Sequence, residues 1–140
     1  MSREFRKVQI NIVGSSEAGD TRLDTVGTIA ETEDGTVIRY YEKFDGDSVV
    51  TKNLLTIKGQ EVTLEKSGGV RATLKFSHGA VNETVYRTAA GPLSMQIISD
   101  NLFTKLHEEG ADVELDYRIR FAPDSEAKNS LKLVARYIEE

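Results

Sequence analysis

ETEDGTVIRYYEKF (residues 31–44) reads as two β-strands joined by the tight turn Asp34-Gly35, and the rest of the chain continues in the same manner. Asp-Gly suits a two-residue hairpin turn, because Gly accepts positive φ freely and Asp tolerates it. Centred there, the turn pairs Glu33 with Thr36, Glu31 with Ile38 and Ile29 with Tyr40. Ile29, Ile38, Tyr40 and Phe44 then share one face with Gly27 and Glu42. A slip of one residue would pair Tyr40 with Ala30 and turn the partner strand's faces over.

Upstream, Val8, Ile10 and Ile12 alternate with Lys7, Gln9 and Asn11, the period-two signature of a half-buried strand. Residues 14–22, GSSEAGDTR, hold no sizeable apolar side chain and read as a loop. Downstream, Asp45-Gly46-Asp47, Gly59-Gln60, Gly68-Gly69 and Ser77-His78-Gly79 punctuate further alternating runs. These carry Leu55 and Ile57, then Val62 and Leu64, then Val70, Ala72, Leu74 and Phe76. Pro92 has no N–H for a ladder and opens the run of Leu93, Met95 and Ile97.

Residues 101–109, NLFTKLHEE, read either way. Asp100 caps a short helix that Gly110 ends, or Leu102, Thr104 and Leu106 alternate along a bent strand. Residues 111–121 are the clearest strand, with Val113, Leu115, Tyr117, Ile119 and Phe121 opposite Asp112, Glu114, Asp116, Arg118 and Arg120. After a polar loop at 122–129, the last strand sets Leu131, Leu133, Ala135 and Tyr137 against Lys132, Val134, Arg136 and Ile138. Pairing Phe121 with Leu131 joins the apolar faces and predicts an Asp116–Arg136 ion pair across the strands.

Nine or ten short strands with tight turns and little helix predict one all-β domain over residues 1–140. Most strands have one apolar and one charged face, so they enclose a single core. Short loops imply an up-and-down order, and closing the sheet removes its exposed edges, which favours an antiparallel barrel over an open sandwich.

The 18 basic against 23 acidic residues give a formal net charge of −5. That balance argues against a protein that holds nucleic acid by neutralising phosphates. A sequence with no cysteine has neither disulfides nor thiolate nucleophiles, and the apolar runs are far too short for a membrane helix. A cytoplasmic setting is the expectation.

In order and spacing, ETEDGTVIRYYEKF, LLTIKGQEVTLEKSGGVRATLKF, YRTAAGPLSM and GADVELDYRIRF resemble the YwiB family. These are small bacterial proteins of unknown function with a calycin, lipocalin-like barrel, and the likeness runs from about Val8 to Ile138. It implies a strand rather than a helix near Leu102 to Leu106, and it implies no activity. Functional lipocalins carry a Gly-x-Trp signature; this chain has no Trp, so the resemblance reaches the shape and not the ligand.

The candidate site is the polar set on inward faces: Tyr40, Glu42, Asn53, Lys66, Tyr117 and Tyr137. A mostly apolar lining with a few placed polar groups is what a ligand-holding barrel needs, and equally what a filled one tolerates at its rim. An inward Glu42 needs a partner, and Lys66 at the end of its strand can supply one. His78 and His107 fall in separate connecting regions and are expected as solvated turn residues, leaving no metal site or catalytic dyad. Arg39, Lys43, Arg71, Lys75, Arg118 and Arg120 point outward, away from the aromatic residues that base stacking would require.

The expectation is therefore a non-catalytic barrel, with no cofactor or metal, that binds a small apolar or amphipathic ligand inside. The alternative is a packed structural or protein-interaction barrel working through its outer surface. It would pair as a homodimer through Val134 and Ile138 of the last strand. Neither nucleic acid nor membrane is an expected partner.

Overall fold

Alternating β-branched and polar residues build ten antiparallel strands in this computed structural model, which describes residues 5–43, 49–122 and 125–138. They are β1 (Arg6–Ser16), β2 (Gly19–Thr32), β3 (Gly35–Glu42), β4 (Thr51–Lys58), β5 (Glu61–Ser67), β6 (Ala72–Ser77), β7 (Val81–Thr88), β8 (Gly91–His107), β9 (Gly110–Ala122) and β10 (Ser125–Tyr137). Phe44, the Asp45-Gly46-Asp47 turn and Pro123 lie outside the described residues. The sheet runs β6-β5-β4-β3-β2-β1-β10-β9-β8-β7, so every strand pairs with its chain neighbours except β6 with β7, and β1 meets β10. The result is an up-and-down barrel that is nearly closed.

The core is the inside of this barrel. Val8, Ile10, Ile38, Leu55, Ile97, Leu115 and Leu133 are wholly or almost wholly buried there. Each such side chain contributes about 1.5–3 kcal/mol of hydrophobic stabilisation. Gly27 faces the same interior: a Cβ there would strike the Arg39 carbonyl and Ile10 Cδ1, so the β2 backbone itself fills the place of a side chain.

Four hairpins share one turn. Ser16, Thr32, Thr88 and His107 each stand three residues before a glycine with positive φ: Gly19, Gly35, Gly91 and Gly110. In every case a side-chain atom accepts the amide two residues on: Ser16 Oγ from Ala18 at 3.2 Å, Thr32 Oγ1 from Asp34 at 3.1 Å, Thr88 Oγ1 from Ala90 at 3.1 Å, His107 Nδ1 from Glu109 at 3.2 Å. The three hydroxyls also donate to the glycine carbonyl.

This turn corrects the expected register of the 31–44 hairpin. Its corners are Glu33 and Asp34, while Gly35, at φ +119°, opens β3. Thr32 therefore faces Gly35, Glu31 faces Thr36 and Ile29 faces Ile38. The shift is two residues, so Ile29, Ile38 and Tyr40 keep their common face. Thr32→Val removes both hydroxyl bonds and is expected to cost about 1 kcal/mol, read as a lower urea midpoint at unchanged m-value.

Residues 14–22 are not a loop. β1 and β2 pair as far as Ser16 and Gly19, with only two residues between them. The backbone ladder satisfies itself there without apolar side chains. Residues 101–109 are strand to His107, as the family resemblance implied. A bulge at Asp100 separates the Ser99–Tyr117 and Asn101–Asp116 pairs and turns the Asp100 carboxylate towards Arg118.

The last hairpin is also tighter than expected. Leu131 pairs with Leu115, not Phe121, and most of residues 122–129 belong to β10. Asp116 faces Ser130, so the expected Asp116–Arg136 pair does not form; Arg136 Nη1 instead donates to Asp112 at 2.8 Å. The slip is six residues, again even, and both apolar faces stay inside.

Candidate functional site

The row Tyr40, Asn53, Lys66, Ala72 crosses four adjacent strands, β3 to β6, on their inward face. Glu42, two residues beyond Tyr40, shares that face. Asn53 is fully buried and ties the group together. Its Nδ2 donates to Glu42 Oε1 at 3.0 Å, and its Oδ1 accepts from Lys66 Nζ at 2.8 Å. Lys66 Nζ also donates to Glu42 Oε1 at 2.8 Å, which closes a triangle. The side chains of Lys66 and Glu42 are only 13% and 16% exposed. Both charges are thus largely desolvated, and each relies on the other and on Asn53.

Beside the triangle stand three phenols. Tyr40 is 3% exposed, and burial, then the Glu42 carboxylate, then Tyr117, push its pKa well above the ordinary phenol value. Burial and Glu42 raise Tyr86, and burial and Tyr86 raise Tyr117. The Tyr117 ring meets Phe76 edge-on, with centroids 5.1 Å apart. Tyr137 stands apart from them: the Arg6 guanidinium covers its ring at 3.6 Å. The structure therefore gathers Tyr40, Glu42, Asn53, Lys66 and Tyr117, adds Tyr86, and leaves Tyr137 elsewhere. Two further interior hydroxyls, Thr51 Oγ1 opposite Glu42 and Ser99 Oγ opposite Tyr117, are buried with no hydrogen-bond partner.

The barrel's opening is at β6 and β7. No ladder joins these strands; a single bridge, Arg71 with Arg87, exchanges backbone bonds of 2.9 and 2.8 Å. Along the rest of the seam, side chains do the joining. Thr84 Oγ1 donates to the Thr73 carbonyl at 2.8 Å, and Asn82 Nδ2 donates to that of Lys75 at 3.0 Å. β7 is the cause. It turns Asn82 and Thr84 towards the gap and leaves Val81 and Val85 56% and 39% exposed. Tyr86 is its one apolar contribution to the core.

Two clefts flank the seam. The larger, about 940 Å³, is lined by Asn82, Thr84, Val85, Met95, Gln96 and Phe121 among others. The smaller, about 560 Å³, includes Lys52, Glu65, Lys66, Arg71, Thr84 and Arg87. Of the interior residues picked from sequence, only Lys66 borders either cleft. The seam residues were missed. Their signal was present, since β7 alternates with Tyr86 and the two valines on opposite faces, but the expected contact between β6 and β7 was an ordinary ladder.

Some outer charges are spent on one another. Arg118 bridges Asp100 and Glu126, and Arg120 also reaches Glu126. The Arg118 hydrogen bond holds Asp100 below the ordinary carboxylate range, and Arg120, then Arg118, do the same for Glu126. Burial pushes Asp112 up, yet the Arg136 hydrogen bond and charge, with His107 beside it, hold it below its usual value. His107 is thus no solvated turn residue: it caps its hairpin and lies 3.2 Å from Asp112. His78 is exposed, as expected.

β10 lies between β1 and β9, so the last strand has no free edge for a partner. Val134 is half-buried and Ile138 is 37% exposed just beyond it. Among the described residues no three His, Cys, Asp or Glu side chains converge to hold a metal ion. The one interior carboxylate picked from sequence, Glu42, already accepts from Lys66 and Asn53. The arrangement holds an interior polar triangle, and an open seam with apolar, amide, hydroxyl and cationic groups.

The fold matches a solved structure, the crystal structure of ywiB protein from Bacillus subtilis, with a TM-score of 0.80 over 98% of this chain and 94% of that one. Sequence identity is 17%, so the likeness is one of fold. No curated protein matches the chain in sequence. A family model matches residues 7–133, from the start of β1 to Leu133 within β10, and the chain accordingly belongs to the family described as domain of unknown function (DUF1934).

Proposed function

We propose that the protein is a non-catalytic, calycin-like binding barrel that takes a small amphipathic ligand at the β6–β7 seam. The observation that carries this reading is the cleft of about 940 Å³ at the one place where neighbouring strands are not laddered. Its lining combines Val85, Met95, Ile97 and Phe121 with hydroxyl and amide groups and with the charged Lys75, Glu83 and Arg120. That is the mixture of apolar wall and a few placed polar groups that small-molecule sites use. An exposed valine on each side of Glu83 in β7 is costly in water and useful against an alkyl chain. The cysteine-free sequence suits a reducing cytoplasm.

The interior tyrosines serve this reading as the floor of the barrel, since Tyr40 and Asn53 are covered and hydrogen-bonded or packed within it. A non-ionic alkyl glycoside, titrated below its micelle concentration, is the probe. Amide shifts are expected at residues 82–85 and 94–97, and Val85→Asp is expected to weaken binding about tenfold. Shifts confined to Tyr40 and Tyr117 would move the ligand to the interior, and no saturable shift would remove it.

A further inference from the structure

Lys52 lies opposite Ser67 on the outer wall of β4 and β5. Ser67 and Arg71 are the next outward positions after Lys66–Ala72, the last pair of the β5–β6 ladder, and Arg71 faces Arg87 across the seam. Lys52, Ser67, Arg71 and Arg87 thus form one row across four strands, spanning about 14 Å. All four border the cleft of about 560 Å³, where Glu65 is the only carboxylate among the described residues. Lys66 also borders it but is neutralised by Glu42. Among the described residues no ion pair holds Lys52, Arg71 or Arg87, while Arg118, Arg120 and Arg136 all have acidic partners.

The Arg71–Arg87 arrangement is unfavourable by itself. The two residues exchange backbone bonds, so they are directly opposed at the spacing of a hydrogen-bonded pair, where like charges repel. They also form the only backbone bridge that closes the seam strands upon each other. In a protein of net charge −5, two arginines that no ion pair holds among the described residues face each other at the weakest joint in its wall.

We propose that this row is a binding site for a small phosphate-bearing molecule, whose oxygens lie between the Arg71 and Arg87 guanidiniums with Lys52 at the far end. Two guanidinium forks match a phosphate group, which carries close to two charges and three accepting oxygens. A carboxylate brings one charge and leaves one arginine uncompensated. Nucleic acid is disfavoured because, among the described residues, no aromatic side chain lines this cleft to stack a base. The occupant also draws β6 and β7 together at the bridge. The site stands whether or not the larger cleft holds a ligand, because Lys52, Arg71 and Arg87 lie outside that cleft.

Inorganic pyrophosphate titrated into the labelled protein in a low-salt, phosphate-free buffer tests this directly. Saturable amide shifts are expected at residues 71–73 and 85–87. Arg71→Gln and Arg87→Gln are each expected to weaken binding about 10- to 100-fold, and Lys132→Gln, on the opposite wall, to leave it unchanged. Pyrophosphate is expected to raise the thermal midpoint of the native protein, as any ligand of the folded state does. Without it, Arg87→Gln is expected to unfold at the same temperature as the native protein or higher, since the repulsion is gone. Equal binding of acetate would assign the site to carboxylates, and tighter binding of a single-stranded oligonucleotide would assign it to nucleic acid. Either result, an equal loss in Lys132→Gln, or no saturable shift would overturn the proposal.

Discussion

Replacing Lys66 with methionine is expected to destabilise the barrel by about 3 kcal/mol, the largest single effect among the polar residues. The substitution keeps the side chain's length and removes its charge. Glu42 is then left 16% exposed with Asn53 as its remaining donor, and Asn53 Oδ1 loses its own. Removing one member of a desolvated pair costs far more than removing both, so Glu42→Gln combined with Lys66→Met is expected to recover more than half of the loss. Chemical denaturation of the two single variants and the double variant completes the cycle. Additive losses would show that the triangle is a set of independent surface contacts.

Alkaline pH is expected to produce the second large effect, through the phenols. Burial raises the pKa of Tyr40, Tyr86 and Tyr117 in the folded state above the value of about 10 that each has when unfolded. The unfolded chain therefore releases these protons first. Stability contributed by the neutral phenols is complete below pH about 10 and falls as pH rises towards the folded pKa, by up to about 1.4 kcal/mol per pH unit for each phenol that stays protonated. Tyr40 carries the largest shift, so Tyr40→Phe is expected to flatten the stability profile between pH 10 and 12 more than Tyr86→Phe does. An unchanged slope in Tyr40→Phe would mean that its hydroxyl reaches water.

Apart from Tyr86, these two predictions concern residues that the sequence did single out. Tyr40, Glu42, Asn53 and Lys66 sit on inward positions of their strands, and alternation places them there whichever even register is chosen. That Lys66 meets Glu42 was legible as a need, because an inward carboxylate requires a partner. The role of Asn53 in the middle was not, since it depends on β3, β4 and β5 being aligned to the residue.

The two register errors share one form. The 31–44 hairpin slipped by two residues and the last hairpin by six, and neither slip moved a side chain to the wrong face. Both came from reading the turn by its most familiar dipeptide or by its polar stretch. The spacing of Ser16, Thr32, Thr88 and His107 to the glycines three residues later was the better guide, because a side-chain acceptor and a positive-φ glycine together define where the chain reverses.

The seam lay beyond such reasoning. Its clefts need β6 and β7 to approach without pairing, and they need Arg71 to stand against Arg87. By itself the sequence determined which residues face the core and that the strands form one antiparallel barrel. Alternation and turn spacing are local properties that every even register preserves. Only the tertiary structure decided the register, the Glu42–Asn53–Lys66 triangle and the open joint. Each of these depends on strands aligned to the residue or on edges meeting around the barrel, which local alternation leaves open.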